Sequence, residues 1–137
     1  MTTGLIVVGA SLGGAEAFAG FMAGLGEPRV PVALVLHRNR QPRGSLADYL
    51  ARLSGVPVAE VDDSQPLTPG VHLAPADYHL LAGERAFRLS VDEKVIHARP
   101  SIDVLFESAA ESHRKQLAAV LLTAASRDGA AGVVRVA

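Results

Sequence analysis

The sequence predicts an α/β fold: a three-layer, doubly wound and mostly parallel sheet with a small β-hairpin insertion. Three observations lead there. "LIVV" (5–8), "PVALVLH" (31–37) and "LAAVLLT" (117–123) are continuously apolar, as strands are when helices cover both faces of their sheet. Segments of helical period stand between such strands, the alternation that builds parallel sheets. The middle, "LTPGVHLAPADYHLLAGERAFRLS", is split by Pro69-Gly70, Pro75 and Gly83-Glu84 into short apolar pieces, which predicts short strands and a hairpin.

Taken in order, the first strand runs into a glycine cluster and then a helix over 13–25, with Ala15, Phe18, Met22 and Leu25 on one stripe. After the second strand, residues 44–53 fit a helix with Leu46, Tyr49, Leu50 and Leu53 inward, ended by Gly55 and Pro57. "VPVAEV" (56–61) is a third strand. "RPSIDVLFESAAESHRK" predicts a helix capped by Ser101, with Asp103 in the first turn and His113, Arg114 and Lys115 at the end, each where the helix dipole favours it. "RDGAAGVVRVA" leads from the last strand into a further helix. Repeats, linkers and low-complexity tracts are absent, so residues 1–137 read as one domain, Rossmann-like in its layering.

Composition narrows the function. A formal net charge of −1 gives no basic face for nucleic acid. No run of about 18 apolar residues predicts a membrane span, and "MTTGLIVV" lacks a charged leader region, so a cytoplasmic domain is expected. The absence of cysteine excludes disulfides, thiol catalysis and cysteine-bound zinc. No histidine pair has helical metal-ligand spacing, and neither a metal nor a cofactor is expected.

Three residues follow three buried strands. Ser11 lies beyond "GLIVVGA", His37 ends "VALVLH", and Asp128 comes shortly after "AAVLLTA". Ligands of open parallel sheets bind outside the carboxyl ends of the strands, so these residues share a rim. A serine hydroxyl needs a neighbouring imidazole to take its proton, and a carboxylate on the far ring nitrogen fixes the tautomer. "GASLG" (9–13) fits G-x-S-x-G: Gly9 would allow a tight turn, Gly13 and Gly14 would bring the helix close, and the helix start offers free N–H groups near Ser11.

Blander readings compete at each position. A glycine-rich strand-to-helix turn also serves packing or phosphate binding, although "GASLGG" is neither G-x-G-x-x-G nor a P-loop. His37 also fits a solvated strand end, and Asp128-Gly129 a turn. The joint placement favours the triad. His72 and His79 are expected to face water, His97 to lie in a loop, and Arg38, Arg40 and Arg43 to form a solvated loop beside the site that suits an acidic partner.

These motifs resemble the catalytic domain of the chemotaxis protein-glutamate methylesterases (CheB) over almost the full length. "VVGASLGG" resembles that family's nucleophile turn, "LVLH" its histidine strand, and "LTPGVHLAPADYHL" and "RPSIDVLFESAA" two of its signatures. "LLTAASRDGAAGV" resembles the family's L-T-G-M-G-x-D-G-A-x-G. The resemblance implies Ser11 as nucleophile, His37 as general base and acid, and Asp128 as the orienting carboxylate, with backbone N–H groups at Leu12 and Ala125 serving the oxyanion. It implies hydrolysis of glutamyl methyl esters and deamidation of glutamines on methyl-accepting chemotaxis receptors, without a cofactor. A separate regulatory protein is a further partner in keeping with it.

Three departures from the family pattern accompany these motifs. Leu12 replaces a small hydroxyl residue, Ala124 and Ser126 replace glycines around Ala125, and the chain is short of the family's receiver domain and its last C-terminal elements. The expectation is a serine esterase with a reshaped oxyanion loop. Its rivals are a weak or inactive CheB-like module that binds receptors or signalling partners, and a nucleotide-binding α/β domain.

Overall fold

The computed structural model describes residues 4–11, 14–37, 45–94 and 99–122. Five parallel strands form one sheet: β1 (Leu5–Ala10), β2 (Pro31–Leu36), β3 (Val58–Glu60), β4 (Gly70–Leu73) and β7 (Leu117–Leu121), in the spatial order β3-β4-β2-β1-β7. β5 (His79–Ala82) and β6 (Phe87–Ser90) make a separate antiparallel hairpin. The helices are α1 (Gly14–Leu25), α2 (Leu46–Ser54) and α3 (Ile102–His113), and a 3-10 turn over Arg114–Gln116 joins α3 to β7.

Alternation along the strands divides the core into two layers. Leu5 and Val7 of β1 with Ala33 and Val35 of β2 join Ile102, Leu105, Phe106 and Ala109 of α3 and the hairpin residues Leu80 and Phe87. Ile6, Val8 and Ala10, with Val32, Leu34 and Leu36, face Phe18 and Met22 of α1 and Leu46 and Leu50 of α2. Every residue of β1 and β2 is buried, which is why these runs carry no polar position. The connection to β2 leaves β1 on one side through α1, and the chain returns to its other side as β7 after α3. The sheet order therefore reverses at β1, the place where open α/β sheets bind ligands.

Local signals set the ends. Ser45 caps α2 by accepting from Asp48 N–H at 3.3 Å, and Gly55 closes that helix in the left-handed conformation at φ 78°. Ser101 caps α3 by accepting from Val104 N–H at 3.3 Å. The hairpin turns at Gly83, whose N–H donates to Ala86 C=O at 2.9 Å.

Several expectations are corrected. Leu25 and Leu53, expected on the inward stripes, are 42% and 40% exposed, each in the last turn of its helix. α2 starts at Leu46 rather than at residue 44, and the third strand shrinks to Val58–Glu60 at the outer edge. β7, expected to be fully buried, is half-buried throughout, because among the described residues it borders the sheet. Gly9 lies inside β1 and not in a turn; a Cβ there would stand 2.4 Å from Ile102 Cγ2. Its use is close approach. The helix expected after residue 127 lies outside the described residues.

Candidate active site

Ser11 and His37 are brought together by strand register. Ala10 of β1 stands opposite Leu36 of β2, so the next residues, Ser11 and His37, leave the carboxyl rim side by side. The pairing continues one step past the strands, for His37 N–H donates to Ala10 C=O at 2.9 Å. Ser11 is 4% exposed and its carbonyl accepts the N–H of Gly14, the first residue of α1. His37 is half-buried, with its Nε2 atom withdrawn from solvent.

β7 approaches from the other side. Leu122 N–H donates to Gly9 C=O at 2.9 Å, so the described chain ends beside the end of β1 that carries Ser11. Leu12, Ala125 and Asp128 themselves lie outside the described residues, as do Arg38, Arg40, Arg43 and His97. The first turn of α3 packs against this end of β1: Ser101, Ile102 and Asp103 are all buried, and Ile102 lies against Gly9. Asp103 was legible as a first-turn acid suited to the helix dipole, but its burial was not.

Two histidines expected in water are buried. His72 is 5% exposed, with Nε2 2.7 Å from Thr68 C=O, Nδ1 3.1 Å from the Gln65 amide nitrogen, and its ring tilted against Phe87. His79 is 1% exposed and bonded through both nitrogens to backbone groups. Alternation suggested wet positions; partners outside the strands, backbone groups and the Gln65 amide, are what satisfy them. Among the described residues no His, Asp and Glu grouping could hold a metal ion, and no helix is long and apolar enough to cross a membrane.

The family model described as CheB methylesterase matches residues 6–137. The chain belongs to the CheB methylesterase family. It is 35% identical over 134 residues to a putative protein-glutamate methylesterase/protein-glutamine glutaminase of Leptospira interrogans, covering 96% of this chain and 69% of that protein. It is 40% identical over 131 residues to protein-glutamate methylesterase/protein-glutamine glutaminase 2 of Anaeromyxobacter dehalogenans, covering 94% of this chain but 38% of that one. The crystal structure of the Thermotoga maritima CheB methylesterase catalytic domain superposes with a TM-score of 0.87 at 30% identity, over 99% of this chain and 75% of that one. The three-layer α/β reading is thereby borne out.

Proposed function

We propose that this chain hydrolyses glutamyl methyl esters, and deamidates glutamine side chains, on chemotaxis receptors. Membership of the CheB methylesterase family and the activity its relatives are named for support the reading. The observation that carries it is the adjacency of Ser11 and His37 at the strand-order reversal, held by the His37 N–H bond to Ala10.

The chemistry follows from the residue types. Ser11 Oγ attacks the side-chain carbonyl carbon while His37 takes the hydroxyl proton. Charge gathers on the carbonyl oxygen, where the backbone N–H groups of Leu12 and Ala125 are the proposed donors. His37 then returns the proton to the departing methoxide, which leaves as methanol, and an acyl-enzyme on Ser11 remains. Water, deprotonated by His37, attacks the acyl carbon. His37 returns that proton to Ser11 as its ester bond breaks, and the free acid departs, releasing its own proton to solvent as the glutamate carboxylate forms. With glutamine the leaving group is ammonia. Asp128 is assigned to the second ring nitrogen of His37, where a carboxylate stabilises the imidazolium.

Methanol release from methylated receptor, with wild type, Ser11→Ala, His37→Ala and the double variant, tests the proposal. Each single change should remove nearly all activity and the double should cost no more, because the two act as one unit. Full activity in Ser11→Ala would overturn it.

A further inference from the structure

Residues 77–79, which lead into β5 and include its first residue, meet residues 99–101, ahead of α3, along two rungs. In the outer rung Asp77 Oδ1 accepts from Arg99 Nε at 3.1 Å and from Nη2 at 2.9 Å. Arg99 Nη1 goes on to the carbonyls of Val91 and Asp92, at 3.1 and 3.3 Å. The inner rung is the buried ring of His79, whose Nδ1 accepts the backbone N–H of Ser101 at 3.1 Å and whose Nε2 lies 2.8 Å from Glu93 C=O. An amide N–H only donates and a carbonyl only accepts, so this imidazole is neutral with its proton on Nε2. Neither nitrogen is left over for chemistry.

The ring instead pins Ser101, the N-cap of α3. The next residue, Ile102, touches β1 so closely that a Cβ on Gly9 would lie 2.4 Å from its Cγ2. Gly9 is two residues before Ser11. We propose that His79 is a positioning residue for the nucleophile: through Ser101 it seats the first turn of α3 on Gly9 and so fixes the end of β1 that carries Ser11. Packed interiors pass small displacements on without absorbing them. Misplacement of a reacting group by about 1 Å costs on the order of 100-fold in rate. The kinetic consequence rests on the esterase reading of Ser11; the mechanical chain from His79 to Gly9 does not.

His79→Asn keeps an acceptor near the place of Nδ1, whereas His79→Gln reaches toward Glu93 and withdraws the acceptor that Nδ1 offers the Ser101 N–H. His72→Gln is the control, a second buried histidine whose partners, Gln65 and Thr68, precede β4. Methanol release gives kcat and KM, and amide hydrogen exchange follows residues 9–11 and 101–104 in the same samples. His79→Gln should lower kcat about tenfold with KM within about twofold and speed exchange in both segments, while His79→Asn stays within about threefold of wild-type kcat. His72→Gln should lose stability and keep kcat. Wild-type kcat in His79→Gln, an Asn variant no better than Gln, or the same kcat loss in His72→Gln would overturn the proposal. If wild type releases no methanol, the esterase reading fails and exchange decides: faster exchange at both segments in His79→Gln supports the positioning role, and unchanged exchange overturns it. If His79→Gln does not fold, His79→Asn decides alone, with Ser101 exchange near the wild-type rate in support and an unprotected Ser101 amide against.

Discussion

A methyl group added at Gly9 would sit 2.4 Å from Ile102 Cγ2 and about 3.0 Å from two further Ile102 carbons, closer than real carbon atoms approach. The neighbour is a branched side chain, 1% exposed, with nowhere to swing. Gly9→Ala should therefore destabilise the fold by about 1–3 kcal/mol, the usual cost of overpacking a core. In an Ile102→Ala background the same change should cost clearly less, because the carbons it meets are gone. Urea midpoints of the four proteins give the coupling, and an equal cost in both backgrounds would show that the two residues are independent. The glycine itself was legible, but its reason was not. G-x-S-x-G suggested conformational freedom, whereas the need is space created by a residue 93 positions away. His79 was misread for the same cause, since its partners lie 14 and 22 residues along the chain. The adjacency of Ser11 and His37 at one rim was legible because each follows directly from a strand that identifies itself.

One face of α3 supplies hydrogen bonds to β5 as well as apolar cover. Gly83 and Ala86 form a hydrogen-bonded pair in the hairpin, so at the neighbouring Ala82–Phe87 pair the groups of Ala82 turn away from β6. Ser108 Oγ accepts the Ala82 N–H at 2.9 Å while donating to Leu105 C=O at 2.9 Å. Ser112 Oγ lies 2.9 Å from both Ala82 C=O and Ser108 C=O. Ser108→Ala would strand a buried N–H, and the expected loss is about 1–3 kcal/mol. Ser112→Ala should cost less, because a carbonyl left short of one donor is tolerated better than an orphaned N–H. Chemical denaturation of the two variants checks the order, and a larger loss at Ser112 would contradict this account. Elements whose limits depend on local chemistry were legible, such as the Ser101 cap, the Gly55 stop and the Gly83-Glu84 turn. Elements whose limits depend on the sheet edge were not, hence the shortened β3 and the half-buried β7.

At the scale of the molecule, layers were legible because apolar runs and helical stripes carry them, while the strand order β3-β4-β2-β1-β7 depends on pairings between distant segments. That order places β1 centrally enough to have α3 on one face and α1 on the other, and it puts the Ser11 rim next to the N-terminus of α3. The opposite end of α3 carries a titratable group that ties folding to pH. His113 closes the helix, its Nδ1 2.8 Å from Ser112 Oγ. Partial burial disfavours its imidazolium and lowers its pKa from the ordinary 6.5, and the negative charge of Glu84 opposes this only in part. The unfolded chain thus binds the proton more readily than the folded one, so this contribution to stability rises with pH. It is present in full above about 6.5, is lost as the pH falls through the interval down to the lowered folded value, and levels off below that. His113→Gln, which cannot take up the proton, should remove this component. The difference in unfolding free energy between wild type and His113→Gln should be flat above pH 6.5 and shift against wild type below it. Glu84→Gln should strengthen the acid sensitivity, since it removes the charge that favours the imidazolium. Urea unfolding of the three proteins across pH 5 to 8 provides the measurement, over the range where histidine titrates. A wild-type minus His113→Gln difference that stays constant over that range would mean that burial at the end of α3 has no linkage to folding.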